Sequence, residues 1–269
     1  MKRNLFQIAA VLLTSVAVFT ACEKDNNGYG NNPPQTPTVN AQEFKSAGDS
    51  LGIVSKMNEF RNTLGATLNS APGATGGRRE VNWDGVPANL TNQNNFPFDF
   101  FGSSNAADAN GRKRGLIMTN TGTSFRVDTT DFSEVDASYA DQFNRFSPKR
   151  LFVYMGNTTT ECTFKVPGTT TDAFIKGFGV VFNDVDDANS SSIEFFNGSK
   201  SLGVYKAPQS PSGQFSFLGV FFPDEKVTKV KIISGNGLLA AGTRDVSSGG
   251  TKDLVVMDDF LYDEPKSVL

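Results

Sequence analysis

The chain contains no histidine, one tryptophan and two cysteines among its 269 residues. Without histidine, Ser-His-Asp and Cys-His catalysis are impossible, and so are zinc and non-haem iron sites built on imidazole ligands. Acid–base chemistry near neutral pH would have to use Asp, Glu, Lys or Tyr side chains with shifted pKa values. We therefore expect a protein that is not an enzyme.

Basic residues are fewer than acidic ones, and the formal net charge is −3. Nucleic acid binding requires a concentrated basic face, so we expect no nucleic acid partner. The chain is rich in phenylalanine, with 24 residues, and in glycine, with 26. Its apolar runs are mostly short and bounded by Gly, Asn, Ser or Pro. This pattern favours strands and turns over helices.

The first 21 residues have the pattern of a secretory signal peptide. Lys2 and Arg3 precede an apolar run over residues 5–19, and small residues follow at 20 and 21. The run is about 15 residues long and is followed at once by charged side chains, so it is too short for a membrane-spanning helix. The sequence therefore predicts export from the cytoplasm.

The export signal ends in Phe19-Thr20-Ala21-Cys22, which resembles the lipobox of bacterial lipoproteins. The resemblance implies that Cys22 is lipidated and becomes the first residue of the mature chain. The alternative is an ordinary signal peptide with a cysteine near its end by chance. The remaining cysteine, Cys162, lies in a strand-like segment, and we expect a lone buried thiol there rather than a disulfide partner.

Residues 22–45 combine the predicted lipid attachment with a spacer rich in Asn and Pro, which cannot bury enough apolar surface to order itself. A lipidated cysteine followed by charged residues and such a spacer resembles Bacteroidetes-type lipoproteins. The resemblance implies a lipid anchor in the outer membrane. Surface display and a position facing the periplasm both remain open.

One helix is predictable near the start of the folded part. Asp49 or Ser50 can cap it, and Gly65 can end it. Its apolar residues recur every three to four positions, which indicates an amphipathic helix that packs on a β core. The predicted stripe consists of Leu51, Val54, Met57, Phe60 and Leu64.

Residues 46–269 are expected to form a single, mainly β domain with this one helix at its N-terminal end. Short strand-like segments follow each other with turn signals between them, which indicates a two-sheet β-sandwich or jelly roll. The predicted strands are Gly115–Asn120, Ser124–Asp128, Arg150–Gly156, Cys162–Val166, Phe174–Asn183, Ser192–Phe196, Gln214–Phe222, Val227–Ser234 and Leu254–Tyr262. In one of them, alternation assigns Phe215, Phe217, Val220 and Phe222 to the inward face.

An acidic cluster follows the strand that ends at Asn183. Asp184 and Asp186 are two residues apart, and Asn189 adds a carbonyl oxygen. Closely spaced oxygen ligands suit Ca²⁺, so we consider these residues ligands of a structural calcium ion. The EF-hand pattern does not fit them, so further ligands would come from other loops. The alternative is a solvated acidic turn between two strands.

A second acidic pair, Asp258-Asp259, lies inside the apolar strand Val255–Tyr262. Adjacent residues of a strand face opposite sides, so one carboxylate is expected inside and the other in water. An inward carboxylate is costly unless it is paired or binds a metal, which makes both residues candidate calcium ligands. This strand resembles the last strand of jelly-roll domains in the galactose-binding-like and carbohydrate-binding-module group, where the resemblance implies an Asp that helps to hold calcium.

Candidate ligand-binding residues lie between Gly77 and Pro87. Trp83 beside Asp84 can stack on a sugar ring, although a lone tryptophan is more commonly part of the core. Arg78 and Arg79 can bind an anionic glycan through paired hydrogen bonds, the alternative being an ion-paired strand end. From Gly77 to Pro265 the chain resembles a group of secreted bacterial proteins without assigned activity.

These observations predict a cell-envelope or cell-surface lipoprotein that acts as a non-catalytic binding module, with glycan as the candidate ligand. A lipid anchor and a flexible spacer would raise the local concentration of its binding face near the membrane. Two other hypotheses remain. One is a structural scaffold that binds envelope proteins. The other is a glycan hydrolase that uses two carboxylates among Asp84, Asp184, Asp186, Asp258 and Asp259.

Overall fold

A computed structural model describes residues 39–119 and 124–269. The predicted signal peptide, the lipid attachment at Cys22 and most of the predicted spacer lie outside the described residues. From Thr38 to Leu269 the chain forms one compact unit. No helix within the described ranges has both the length and the apolar character needed to cross a membrane.

The described residues contain fourteen strands and one α-helix. The first half consists of β1 Gln42–Gly48, α1 Ser50–Leu64, β2 Arg78–Val81, β3 Leu116–Thr119, β4 Phe125–Asp128, β5 Leu151–Tyr154 and β6 Thr159–Lys165. The second half consists of β7 Asp172–Phe174, β8 Gly177–Asn183, β9 Ser192–Asn197, β10 Lys200–Lys206, β11 Phe215–Phe221, β12 Lys229–Ile233, β13 Val256–Asp263 and β14 Lys266–Ser267.

The strands form two antiparallel sheets that pack as a sandwich. One sheet has the order β1-β11-β8-β13-β5-β4, with β2 added alongside β13, and is called the covered sheet below. The other has the order β10-β9-β12-β6-β7-β14, with β3 added alongside β6, and is called the open sheet. The strands β5-β13-β8-β11 are neighbours in the covered sheet and β6-β12-β9-β10 are neighbours in the open sheet, so the chain crosses repeatedly between the two sheets. This is the connectivity of a jelly roll, as the sequence predicts.

The space between the sheets is filled by the largest apolar cluster of the protein. From the covered sheet it includes Phe178, Val180 and Phe182, which alternate along β8. From the open sheet it includes Cys162, a free buried thiol on β6, as predicted. Burial raises the pKa of this thiol far above its usual range, which keeps it protonated and unreactive.

The outer face of the covered sheet is also buried, under two further apolar clusters. Helix α1 packs there against residues such as Val181, Phe217 and Leu261. Beside it, Phe132 and Tyr139 cover Leu151 on β5 and other outward side chains. As a result every residue of β8 and β13 is buried, and these strands lack the alternation of buried and exposed residues seen along β6.

This second layer corrects the expected face of two phenylalanines. Val220 and Phe222 do point into the sandwich, as predicted. Phe215 and Phe217 instead pack against helix α1 on the outer face. Both faces of β11 are apolar because both are buried, so alternation in the sequence could not distinguish the two sides.

Helix α1 begins and ends where the sequence predicts, but its buried stripe is shifted. Asp49 is the N-cap, and its side chain accepts a hydrogen bond from the amide of Gly52. The buried side chains are Ile53, Met57, Phe60 and Leu64. The prediction was wrong for Leu51, which is 79% exposed, because Ile53 rather than Leu51 lies on the buried face of the first turn.

Two opposed glycines let the helix approach the covered sheet closely. Gly179 on β8 is paired with Gly219 on β11, and both lie beneath the ring of Phe60. A Cβ atom at Gly219 would lie 2.9 Å from Cγ of Phe60, and one at Gly179 would lie 2.8 Å from its Cε1. Any side chain here would push the ring outward, so the absence of a Cβ is what permits this packing.

All nine predicted strand segments contain a strand, and Phe174–Asn183 holds the end of β7 and all of β8. The sequence analysis missed β1, β2, β10 and β14. Strand β1 begins at Gln42, inside the stretch assigned to the spacer, and pairs along its whole length with β11. It was missed because its sequence is mostly polar, since it lies at the edge of the covered sheet.

We predict that Gly219→Ala lowers the free energy of unfolding by about 1–3 kcal/mol, because the new methyl group overpacks the site of Phe60. Urea unfolding followed by circular dichroism measures the effect. Gly85→Ala is the matched control, since a Cβ there meets no atom within 4 Å. Phe60→Leu in the Gly219→Ala background should recover part of the loss. Equal stability of the two alanine variants would contradict the proposed close packing.

Candidate metal centre

Asp184 lies directly after β8, at the end of a buried strand of the covered sheet. Its backbone has a φ of 68°, a left-handed conformation that turns the chain sharply. Its side chain is held from two directions. Oδ1 accepts a hydrogen bond of 2.6 Å from the amide of Gly213, and Oδ2 accepts one of 2.8 Å from Nε2 of Gln142. The carboxylate is therefore fixed in a buried position.

Asp245 comes from a distant part of the chain and caps the short 3-10 turn Val246–Ser248. Its Oδ2 accepts hydrogen bonds from the amide and the hydroxyl of Ser247, and its Oδ1 accepts one of 2.7 Å from the amide of Leu254. The side chain is fully buried. Like the carboxylate of Asp184, that of Asp245 is oriented by hydrogen bonds from the protein itself.

Asp186 completes the group and differs from the other two carboxylates. Its Oδ2 is buried yet has no hydrogen-bond partner within the described residues. One carboxylate oxygen each from Asp184, Asp186 and Asp245 lies within 4.8 Å of the others. Among the residues that the structure describes, none of these three carboxylates forms a salt bridge with Lys or Arg.

A fourth carboxylate, Asp253, positions the backbone beside this group. Its two oxygens accept hydrogen bonds from the amides of Asp186, at 3.3 Å, and Asp187, at 2.8 Å. Its own amide donates to Oδ1 of Asn236. Asp253 thus holds the turn that carries Asp186 and adds a further negative charge nearby.

The concentration of charge changes the acidity of the group. Burial is the largest cause that raises the pKa of Asp186 to about 7, followed by its contact with Asp245 and the charge of Asp184. Burial likewise raises the pKa of Asp184 and that of Asp253. Two carboxylates can contact each other only if a proton or a cation lies between them. The group therefore needs a positive charge that its described surroundings do not supply.

Three converging carboxylates can supply the hard oxygen ligands that Ca²⁺ prefers. Each offers one carboxylate oxygen, and water or backbone carbonyls would complete the six to eight ligands of that ion. The unpartnered buried oxygen of Asp186 fits this use, because a cation would satisfy it. The Asp184, Asp186 and Asp245 group can therefore hold a metal ion such as Ca²⁺.

Of the five metal ligands predicted from the sequence, the structure brings together Asp184 and Asp186. The structure gives Asn189 a partner within the protein, since its Oδ1 accepts a hydrogen bond from Nζ of Lys206. Its carbonyl oxygen is thus already bound to a cation of the protein itself.

Asp258 and Asp259 form a separate buried pair on β13. The expectation that one of them faces water was wrong, since they are only 0% and 3% exposed. A β-bulge lies between Met257 and Phe260, and both faces of the covered sheet are buried there. Oδ2 of Asp258 accepts hydrogen bonds from the amides of Phe146 and Ser147.

This pair needs a shared proton. Oδ1 of Asp259 accepts a hydrogen bond of 2.6 Å from the hydroxyl of Ser147, whereas Oδ1 of Asp258 is buried without another donor. Burial, followed by the charge of Asp259, raises the pKa of Asp258 well above its usual range. A proton on Asp258 would bond it to Asp259 and satisfy both side chains. Both side chains are thus held within the core, Asp258 by the amides of Phe146 and Ser147 and Asp259 by the hydroxyl of Ser147.

The ligand-binding residues predicted around Trp83 are mostly structural. The ring of Trp83 is 1% exposed, stacks on Phe152 with centroids 4.1 Å apart, and donates a hydrogen bond to the carbonyl of Asp258. The prediction of a sugar platform at Trp83 was therefore wrong, because no face of the ring is free. Asp84 is half-buried, and its Oδ1 accepts a hydrogen bond from the amide of Lys149. Its role in ligand binding stays a prediction.

The two arginines are occupied by carboxylates of the protein itself. Arg79 is fully buried and forms two hydrogen bonds of 2.8 Å with Glu264. Arg78 pairs with Glu80 and also donates to backbone carbonyls. The prediction of glycan binding by Arg79 was therefore wrong, and the alternative of an ion-paired strand end fits both residues.

Sequence reasoning missed Asp245 and Asp253. A local signal existed for Asp245, because Asp-Val-Ser-Ser is typical of a residue that caps a short helix. That signal predicts a cap but not a metal ligand. Asp186 and Asp245 are far apart in the sequence, and the pairing of β8 with β13, in which Asn183 lies opposite Val256, brings the ends of the two loops together.

Comparisons with protein-family models, with curated proteins and with solved structures return no match. The fold and the candidate metal centre are therefore argued from the described residues alone. The two-sheet antiparallel architecture expected from the resemblance to galactose-binding-like domains is present. Membership of that family stays a prediction.

We predict that the metal-free protein loses stability as the pH rises from about 5 to about 7.5. An acid whose pKa is higher in the folded than in the unfolded chain keeps its proton longer when folded, so folding is favoured at the lower pH. Asp186, with a pKa of about 7, and Asp263, with one of about 6, both act in this direction.

Urea unfolding in the presence of a chelator measures this dependence. Asp186→Asn should reduce the loss, because it removes one of the titrating groups, whereas Asp224→Asn at an exposed position should leave it unchanged. A metal-free protein that becomes more stable over this interval would contradict the raised pKa values.

Proposed function

We propose that this chain is a calcium-stabilised, non-catalytic binding module of the bacterial cell envelope, anchored by lipid at Cys22. The observation that carries the proposal is the convergence of Asp184, Asp186 and Asp245 within 4.8 Å. Calcium is abundant outside the cytoplasm, and weak extracellular calcium sites are a common means of stabilising exported modules.

The arrangement of the carboxylates supports a structural rather than a catalytic use. Both oxygens of Asp184 and of Asp245 accept hydrogen bonds from the protein, which fixes them but leaves them poorly placed to transfer protons. One oxygen from each of the three carboxylates also lies within 4.8 Å of the others, a spacing that one bound cation can bridge. A cation shared by the three residues accounts for both features.

A bound ion would join three parts of the chain. Asp184 follows β8, Asp186 lies in the turn after it, and Asp245 belongs to the loop that leads into β13. That loop is long and contains exposed apolar side chains, including Leu238 and Val246. Calcium would hold it against the covered sheet and so keep one end of the sandwich rigid enough to present a binding surface.

We expect one Ca²⁺ to bind per chain and to raise the melting temperature. A ligand at 100 times its dissociation constant adds about 2.7 kcal/mol, which corresponds to about 5–10 °C for a domain of this size. Isothermal titration calorimetry gives the stoichiometry, and thermal unfolding with and without a chelator gives the stabilisation. Mg²⁺ should have a smaller effect, because it demands a tighter octahedral site.

Asp245→Asn should abolish the calcium-dependent stabilisation, since it removes a charge from the group. The matched control is Asp187→Asn, which removes the same charge from an exposed neighbour outside the group. If calcium stabilises the Asp245→Asn variant as much as the parent chain, the metal centre lies elsewhere and the proposal fails.

The lipid anchor is tested separately by growing a lipoprotein-producing bacterium with a labelled fatty acid. We expect label in the parent chain and in Cys162→Ala, whose thiol is buried in the core. Cys22→Ala should carry none, because the thioether cannot form. An unlabelled parent chain would remove the anchor from the proposal while leaving the calcium site to be judged on its own test.

A further inference from the structure

Phe98 differs from the other described aromatic side chains in its exposure to solvent. Among the residues that the structure describes, it is the one aromatic residue that is mostly exposed, at 56% of its surface. Its neighbours Phe96, Phe100 and Phe101 are buried and pack against one another. Exposure of such a large apolar ring to water is unfavourable, and contact with a ligand would remove part of this apolar surface from water.

The backbone around Phe98 is held by both sheets. The amide of Phe96 donates a hydrogen bond of 3.0 Å to the carbonyl of Phe125 on β4, the edge strand of the covered sheet. The carbonyl of Phe98 accepts one of 2.9 Å from the amide of Met118 on β3, in the open sheet. The segment therefore bridges the opening between the two sheets, and its exposed ring has a fixed base.

A cavity of about 270 Å³ lies beside this ring. Its wall consists of Asn95, Phe96, Pro97, Phe98, Asp99, Ser124 and Phe125. Ligand sites for drug-sized molecules have volumes of about 300–1,000 Å³, so this cavity suits a smaller group such as a single ring. Its floor is apolar, since Phe96 and Phe125 are buried core residues.

The rim of the cavity is polar. The side chains of Asn95, Asp99 and Ser124 form no hydrogen bond with the rest of the described chain, so their donors and acceptors are available to a ligand. No Lys or Arg belongs to the wall, and Asp99 carries a negative charge. An anionic ligand would be repelled, whereas a neutral ligand with one apolar face and polar groups at its edge matches this lining.

We propose that this cavity, here called the Phe98 pocket, binds one ring of a neutral sugar. A pyranose has an apolar face of C–H groups that can lie on an aromatic ring, and hydroxyl groups at its edge that can bond to an amide, a carboxylate and a hydroxyl. The inference rests on the proposed role as a binding module and supplies its ligand class and its location. In this proposal Phe98 has the sugar-stacking role that the sequence predicted for Trp83.

Saturation-transfer NMR with the full chain tests the assignment, using glucose, galactose, mannose and N-acetylglucosamine as probes, and choline as a cationic probe. We expect transfer to the ring protons of at least one sugar. Phe98→Ala should weaken that binding about tenfold, because loss of the stacked ring costs about 1–1.5 kcal/mol. Asp99→Asn, which keeps the shape of the rim, should weaken it less.

The matched control is Phe196→Ala, at an outward-facing phenylalanine of the open sheet that contacts Lys229. It should bind the sugar as the parent chain does. Sugar binding that is lost in Phe196→Ala but kept in Phe98→Ala would move the site to the open sheet and overturn the pocket, while the proposed binding role would stand. Binding of choline alone, or of none of the probes, would overturn the sugar assignment without affecting the calcium titration.

Discussion

The burial of the covered sheet on both of its faces is the constraint on which most other features depend. One face forms the sandwich core, and the other lies beneath α1 and the apolar residues around Phe132 and Tyr139. Strands inside such a sheet can carry polar groups only if the protein supplies partners for them. Asp263 shows this, since its buried Oδ1 accepts hydrogen bonds from the amides of Lys176 and Gly177.

The same constraint explains why carboxylates dominate the unusual sites. Asp258 and Asp259 lie at the β-bulge of a buried strand. There, hydrogen bonds from the protein and one proton can satisfy their carboxylates. Asp184 lies directly after β8, and its charge meets those of Asp186 and Asp245 in a largely buried group. A proton suffices for a pair, whereas three carboxylates favour a divalent cation.

The candidate metal centre and the Phe98 pocket lie in different parts of the fold. The carboxylates follow the central strand β8, whereas the pocket lies at the edge strands β3 and β4. Calcium in this arrangement would act on stability and loop order, and the exposed ring would act on recognition. Such a division is common in binding modules, because a rigid sheet can support a small recognition surface without taking part in it.

The sequence by itself determined the sandwich, the helix with its caps, most of the strands, the buried Cys162 and the first two members of the acidic group. These follow from local patterns, namely short apolar runs between turn residues and the capping signal at Asp49. Only the tertiary structure decided that Trp83 and Arg79 are buried, that both Asp258 and Asp259 lie inside, and that Asp245 joins Asp184. Those outcomes depend on which distant segments cover a given face, and the period of a strand carries no information about a second layer packed on top of it.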